Sequence, residues 1–165
     1  MSGQGSILIV DDEPDIGTML AEALRPLGYK VDIALHAGDA VMLASLERPD
    51  AVILDLMLPE ISGEEIFQQL RELDRSIAIV ILTGMADEIV ARALVRAGAF
   101  DYLRKPPDFE RLHAAVALAV AAGREHSRPG TVVPFHSDRR TRPADLGNEA
   151  PESARTEFLR QPFRQ

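Results

Sequence analysis

The chain has 165 residues, 46% hydrophobic and 27% charged, a composition that fits about one soluble globular domain. It contains no cysteine, which excludes disulfides, thiolate metal sites and a cysteine nucleophile. The formal charge of −8 is uneven: residues 1–123 hold 10 basic and 20 acidic side chains (net −10), residues 124–165 hold 8 and 6 (net +2), and so acidic a body argues against direct DNA binding.

Residues 1–4 have neither a basic start nor a long apolar run, so no secretory leader is expected. Ile7-Leu8-Ile9-Val10 then reads as a strand buried on both faces. Ile16, Met19, Leu20, Ala23, Leu24 and Leu27 follow helical spacing, with Pro14 near the start and Gly28 just past the end. Lys30-Val31-Asp32-Ile33 alternates polar and apolar, as an edge strand with one wet side does. Ala40, Leu43 and Ala44 mark a second helix, and Ala51-Val52-Ile53-Leu54 a third, buried strand.

Ser62-Gly63-Glu64-Glu65 has the spacing of a capping box, and Ile66, Phe67, Leu70 and Leu73 follow on one predicted face. A fourth strand is Ile77-Ala78-Ile79-Val80-Ile81-Leu82, and a fourth helix is carried by Ile89, Val90, Ala93, Leu94 and Ala97 and closed by Gly98. Asp101-Tyr102-Leu103 makes a short fifth strand, and Asp108 caps a fifth helix carried by Leu112, Ala115, Val116 and Ala119. The longest apolar runs, six residues at 77–82 and nine at 114–122, fall far below the length of a membrane span, so a cytoplasmic protein without a span is expected.

Five strands alternating with five helices predict an α/β, doubly wound five-stranded parallel sheet, flavodoxin-like, in the order 2-1-3-4-5. Residues 1–123 form this domain. Residues 124–165 contain five of the 11 prolines, scattered arginines and few apolar residues; they are expected to be a disordered Pro/Arg-rich tail. No second folded domain is expected, so the chain reads as a stand-alone protein that acts through a partner.

In such a sheet, ligands bind beyond the carboxyl ends of the strands. The first strand ends in Asp11-Asp12, the third in Asp55, the fourth in Thr83, and the fifth runs into Lys105-Pro106. Three carboxylates at one rim repel each other unless something offsets them. With no histidine or cysteine nearby in sequence, the donors are hard oxygens, which select Mg²⁺ or a similar ion. A lysine and a threonine hydroxyl beside such an ion suit a transferring phosphoryl group, and an aspartate can serve as the nucleophile. Spacing alone does not say which aspartate.

Four motifs in order, Ile9-Val10-Asp11-Asp12-Glu13, Leu54-Asp55-Leu56-Met57-Leu58-Pro59 with Gly63, Leu82-Thr83-Gly84, and Gly98-Ala99-Phe100-Asp101-Tyr102-Leu103-Arg104-Lys105-Pro106, resemble the receiver domain of two-component response regulators over residues 5–123. The resemblance implies that Asp55 is the phosphoacceptor, taking its phosphoryl group from a sensor histidine kinase or a histidine phosphotransfer protein. It implies Mg²⁺ held by Asp11, Asp12, Asp55 and the backbone carbonyl of Met57. Lys105 and Thr83 would stabilise the phosphoryl group, and Tyr102 would swing inward as a switch. Output would pass through the fourth helix, fifth strand and fifth helix to a downstream protein of unknown identity.

A cis bond before Pro106 is implied as well. Met57 and Met85, two residues beyond Asp55 and Thr83, would sit beside the phosphoryl group and obstruct water, giving a long-lived phosphoryl-Asp55. The one local oddity is Pro107, where an aromatic residue is frequent in that family.

Plainer readings stand beside these. Asp11 and Asp12 could cap the first helix, Thr83 could cap the fourth, and Tyr102 could be ordinary packing. A haloacid-dehalogenase-type phosphatase also uses an aspartate nucleophile, but it needs an acid two residues on, where this chain has Met57. The same motifs also fit a phosphorelay intermediate, or a binding module that is never phosphorylated.

Overall fold

A computed structural model describes residues 3–127, apart from the Met85 side chain. Five parallel strands form one sheet: β1 (Gly5–Val10), β2 (Tyr29–Ala34), β3 (Ala51–Asp55), β4 (Ala78–Thr83) and β5 (Asp101–Arg104), in the order β2-β1-β3-β4-β5. The helices are α1 (Pro14–Leu24), α2 (Ala37–Glu47), α3 (Gly63–Leu73), α4 (Glu88–Arg96) and α5 (Phe109–His126). This is the flavodoxin-like topology expected from the alternating strand and helix patterns.

Alternate residues of each strand feed two cores. Leu8, Val10, Val52, Leu54, Ile79 and Ile81 pack with residues of α2, α3 and α4. Ile7, Ile9, Ile53, Val80, Leu82 and Leu103 pack with residues of α1 and α5. With β3 and β4 buried at every position, the central strands have no wet face, and the continuous apolar runs follow from that. On β2, at the sheet edge, Lys30 is exposed between buried Tyr29 and Val31.

Two predicted caps form: Ser62 Oγ accepts from Glu65 N at 3.2 Å, and Asp108 Oδ1 accepts from Arg111 N at 3.0 Å. Three details differ from expectation. The first helix stops at Leu24 and a 3-10 turn (Arg25–Leu27) follows, because Pro26 has no N–H to continue the ladder; Leu27 is accordingly 40% exposed. On α3, Leu73 lies at the last position and is 40% exposed, outside the buried set Ile66, Phe67 and Leu70. On α4 the buried residues are Ala91 and Leu94, whereas Ile89 is 84% exposed, so the core stripe is rotated from the one predicted.

Glycine is required where α5 crosses the start of β3. A Cβ at Gly123 would lie 2.0 Å from the carbonyl oxygen of Asp50, a backbone atom with no room to yield. Gly123 was the last residue of the expected domain, and α5 continues to His126. The tail expected from residue 124 lies, from 128 on, outside the described residues. Among the described residues, no helix is long and apolar enough to cross a membrane.

Candidate functional site

Parallel strands end at a common rim, and the register brings the polar residues together there. Asp55 is the last residue of β3, opposite Leu82 of β4; Thr83, the last of β4, stands opposite Arg104, so Lys105 emerges one residue further along β5. Asp11 follows β1 directly and is held there by its backbone N–H, which donates to Ala34 O at 3.1 Å.

Asp11, Asp55 and Thr83 are the buried polar residues of the described structure, at 0%, 1% and 0% exposure. Asp12 is half-buried beside them, and one carboxylate oxygen from each of Asp11, Asp12 and Asp55 lies within 4.8 Å of the others. Lys105 Nζ stands 2.9 Å from Asp11 Oδ2 and 2.9 Å from Asp55 Oδ2. Its approach to Asp55 is a hydrogen bond. Its approach to Asp11 is an ion pair off the hydrogen-bonding direction, which leaves Asp11 Oδ2 buried without a hydrogen-bond donor. The other oxygens are occupied: Asp11 Oδ1 accepts from Glu13 N at 2.9 Å and Asp55 Oδ1 from Met57 N at 3.0 Å.

These contacts set the ionisation of the pair. Burial pushes the Asp55 carboxyl above its ordinary value, helped by the nearby Asp11 charge, against the opposing pull of Lys105 and the Met57 N–H. For Lys105, burial disfavours the ammonium, but the hydrogen bond to Asp55 and the two carboxylate charges outweigh it and raise the pKa. One lysine facing two buried carboxylates and half-buried Asp12 leaves an excess of negative charge. A buried Asp11 Oδ2 met only by the Lys105 ammonium, within an all-carboxylate donor set, is what a hard divalent cation would complete.

The remaining predicted residues fall as follows. Thr83 Oγ1 donates to Gly84 O at 3.0 Å. It does not cap α4, whose N-cap is Asp87 after a 3-10 turn (Met85–Asp87). Likewise α1 has Glu13 as N-cap with no side-chain cap bond, so Asp11 and Asp12 are not spent on capping it. The Tyr102 hydroxyl is 3.5 Å from Glu88 Oε1, and the ring packs half-buried against the core on the α3 and α4 side. Met57 is 63% exposed. The Lys105–Pro106 bond is cis. The Met85 side chain lies outside what the structure describes.

Three participants were not singled out from sequence. Glu13 Oε1 lies 3.5 Å from Lys105 Nζ, a third carboxylate on the same ammonium. Its signal was present, as the third acid of Asp11-Asp12-Glu13. Glu88 pairs with Arg104 and with Arg92, the latter at 2.6 Å, and so anchors the neighbourhood of Tyr102. His36 meets Glu60 of the loop after β3. Local spacing offers Glu88–Arg92 as an i,i+4 pair on α4, but nothing in it points to Glu88–Arg104 or His36–Glu60, because each of these joins separate elements.

Comparison with known proteins agrees with this geometry. Residues 7–117 match the family model of the response regulator receiver domain. The response regulator MprA of Mycolicibacterium vanbaalenii is 34% identical over 157 residues, which cover 92% of this chain and 68% of that protein. The transcriptional regulatory protein ZraR of Salmonella typhimurium is 35% identical over 123 residues, 74% of this chain and 28% of that one. Among solved structures, a response regulator receiver domain protein from Clostridium thermocellum superposes with a TM-score of 0.70 at 29% identity, covering 73% of this chain and 98% of its own. A putative response regulator from Chloroflexus aurantiacus gives 0.66 at 34% identity, covering 71% and 98%. With the five-stranded fold and the acidic rim in place, the chain belongs to the response regulator receiver domain family of two-component signalling proteins.

Proposed function

We propose that Asp55 is the phosphoacceptor of this receiver and that its donor is a phosphohistidine on a sensor kinase or histidine phosphotransfer protein. The observation that carries the reading is buried Asp11 and Asp55 sharing the half-buried ammonium of Lys105, with Asp12 beside them. An Asp55 oxygen attacks phosphorus as the P–N bond to the donor imidazole breaks; the imidazole keeps that electron pair and Asp55 becomes an acyl phosphate. Asp11, Asp12, Asp55 and the Met57 carbonyl would hold Mg²⁺, which would supply positive charge to the phosphoryl group.

Lys105 is already within ion-pair distance of Asp55 and moves from carboxylate to phosphoryl oxygen with little displacement. Thr83 exchanges its bond to Gly84 O for one to the phosphoryl group by rotating its side chain. That draws the end of β4 inward and opens space for Tyr102, which leaves Glu88. Output then runs through α4, β5 and α5 to a partner protein. Support for that surface comes from Ile89, a large apolar side chain 84% exposed on α4, next to the Glu88–Arg104 pair.

Beryllofluoride with Mg²⁺ tests this reading. Amide resonances of Asp55, Thr83, Tyr102 and Lys105 should shift together, and an unchanged spectrum would leave only a docking module. Phosphoryl lifetime is a second readout. The family resemblance puts residues 57 and 85 where a long apolar side chain would obstruct water, so Met57→Ala and Met85→Ala should each speed loss of label after the donor is removed. Rapid loss from the parent protein, unaltered by either substitution, would contradict the shielding role.

A further inference from the structure

We infer that Glu60 is a positioning residue for the cation site, because it ties the loop after β3 to the start of α2. The inference rests on the reading of Asp55 given above. The first part of this loop is held from within: Leu56 and Leu58 are 7% and 9% exposed, and Gly63 N donates to Leu56 O at 3.1 Å. A Cβ at Gly63 would meet the Leu56 Cα at 2.4 Å, so the loop is clamped against α3 at that point. Pro59 and Glu60 beyond it are exposed.

The Glu60 carboxylate crosses from there to α2. Its Oε1 is 2.7 Å from His36 Nδ1 and its Oε2 accepts from Ala37 N at 3.3 Å. An ionised carboxylate only accepts, so Nδ1 carries the proton in this contact. His36 is the N-cap of α2 and makes no side-chain cap bond of its own. Glu60 therefore caps α2 from another element and places an anion at the positive end of the helix.

What this does for the site follows from how Met57 takes part. A carbonyl oxygen has no rotamers, so the path of the loop alone sets its direction. Met57 lies three residues before Glu60 on that loop, between the clamp at Leu56 and the tether at α2. Cutting the tether loosens the carbonyl, while the Asp11, Asp12 and Asp55 side chains keep their places. An exposed pair of this kind adds little to global stability, so the effect on the site is separable from folding.

The test is a calorimetric titration of the full chain with MgCl₂ alone, alongside the rate of Asp55 phosphorylation by a small acyl phosphate at varied Mg²⁺. Glu60→Ala should weaken Mg²⁺ binding about threefold to tenfold, less than the 10–100-fold seen when a ligand side chain loses its direct partner. The rate at saturating Mg²⁺ should stay unchanged. Glu60→Gln, which keeps an acceptor for the Ala37 N–H, should fall between parent and Ala. Glu47→Ala, which breaks the Lys30 pair at the other end of α2, should leave Mg²⁺ affinity as it was. Equal Mg²⁺ affinity in the parent and Glu60→Ala would overturn the inference. A parent protein that binds no Mg²⁺ would instead overturn the site assignment on which it rests.

Discussion

Asp55→Asn protein should accept no phosphoryl group from any donor and yet be the more stable protein when Mg²⁺ is absent. Loss of transfer follows from loss of the nucleophile, since an amide oxygen does not form the acyl phosphate. The gain in stability follows from burial. Asp55 is 1% exposed and its folded pKa is raised, first by desolvation and then by Asp11, so the folded state binds protons more tightly there than the unfolded chain. Counting this group alone, stability is full below the ordinary carboxylate range. It falls as pH rises through that range toward the raised folded value, and the cost remains at neutral pH.

Asparagine removes that cost and keeps the shape, for a gain of about 1–2 kcal/mol at neutral pH in EDTA. Urea melts with and without Mg²⁺ would show it. Saturating Mg²⁺ at about 100 times its dissociation constant stabilises the parent by about 2.7 kcal/mol. The variant, lacking one ligand, should gain less, so the stability order should narrow or reverse. A variant less stable than the parent in EDTA would mean that Asp55 is a net stabilising charge in the fold.

Lys105→Met has the second large effect, and it acts on both chemistry and folding. The ammonium, 20% exposed, lies within 2.9 Å of two buried carboxylates and 3.5 Å of Glu13. Removing it takes away the cation that meets developing phosphoryl charge, and phosphorylation should slow about 10²–10³-fold. It also leaves Asp11 and Asp55 buried without their cation, a loss that can reach about 3–5 kcal/mol when one partner of a buried pair is removed. The double variant Asp55→Asn/Lys105→Met should recover much of this, because the uncompensated charge is halved. Additive losses in that cycle would contradict the coupling.

Much of this was legible in the sequence because of how a parallel sheet works. Strands buried on both faces write continuous apolar runs, and residues just past those runs must share one rim. Asp11, Asp55, Thr83 and Lys105 could therefore be grouped from their places along the chain. The edge position of β2 was legible for the converse reason, with Lys30 and Asp32 alternating against Val31 and Ile33.

Positions set by tertiary packing were not legible. Ile89, Val90, Ala93 and Leu94 form a good helical stripe, but α4 is short and its buried positions are Ala91 and Leu94, leaving Ile89 in solvent. The Glu88–Arg104 and His36–Glu60 pairs join elements 16 and 24 residues apart, a separation that no local period encodes. Glu13 was visible as an acid, but its distance to Lys105 depends on how β1 and β5 end against each other.

The most direct test of the acidic rim is phosphotransfer from a phosphohistidine donor to the intact chain, followed by peptide mapping of the label. The expected result is a single acid-stable, base-labile phosphate on Asp55 that forms only when a divalent cation is supplied. Label on another residue, undiminished label in Asp55→Asn, or transfer that proceeds equally in EDTA would contradict it.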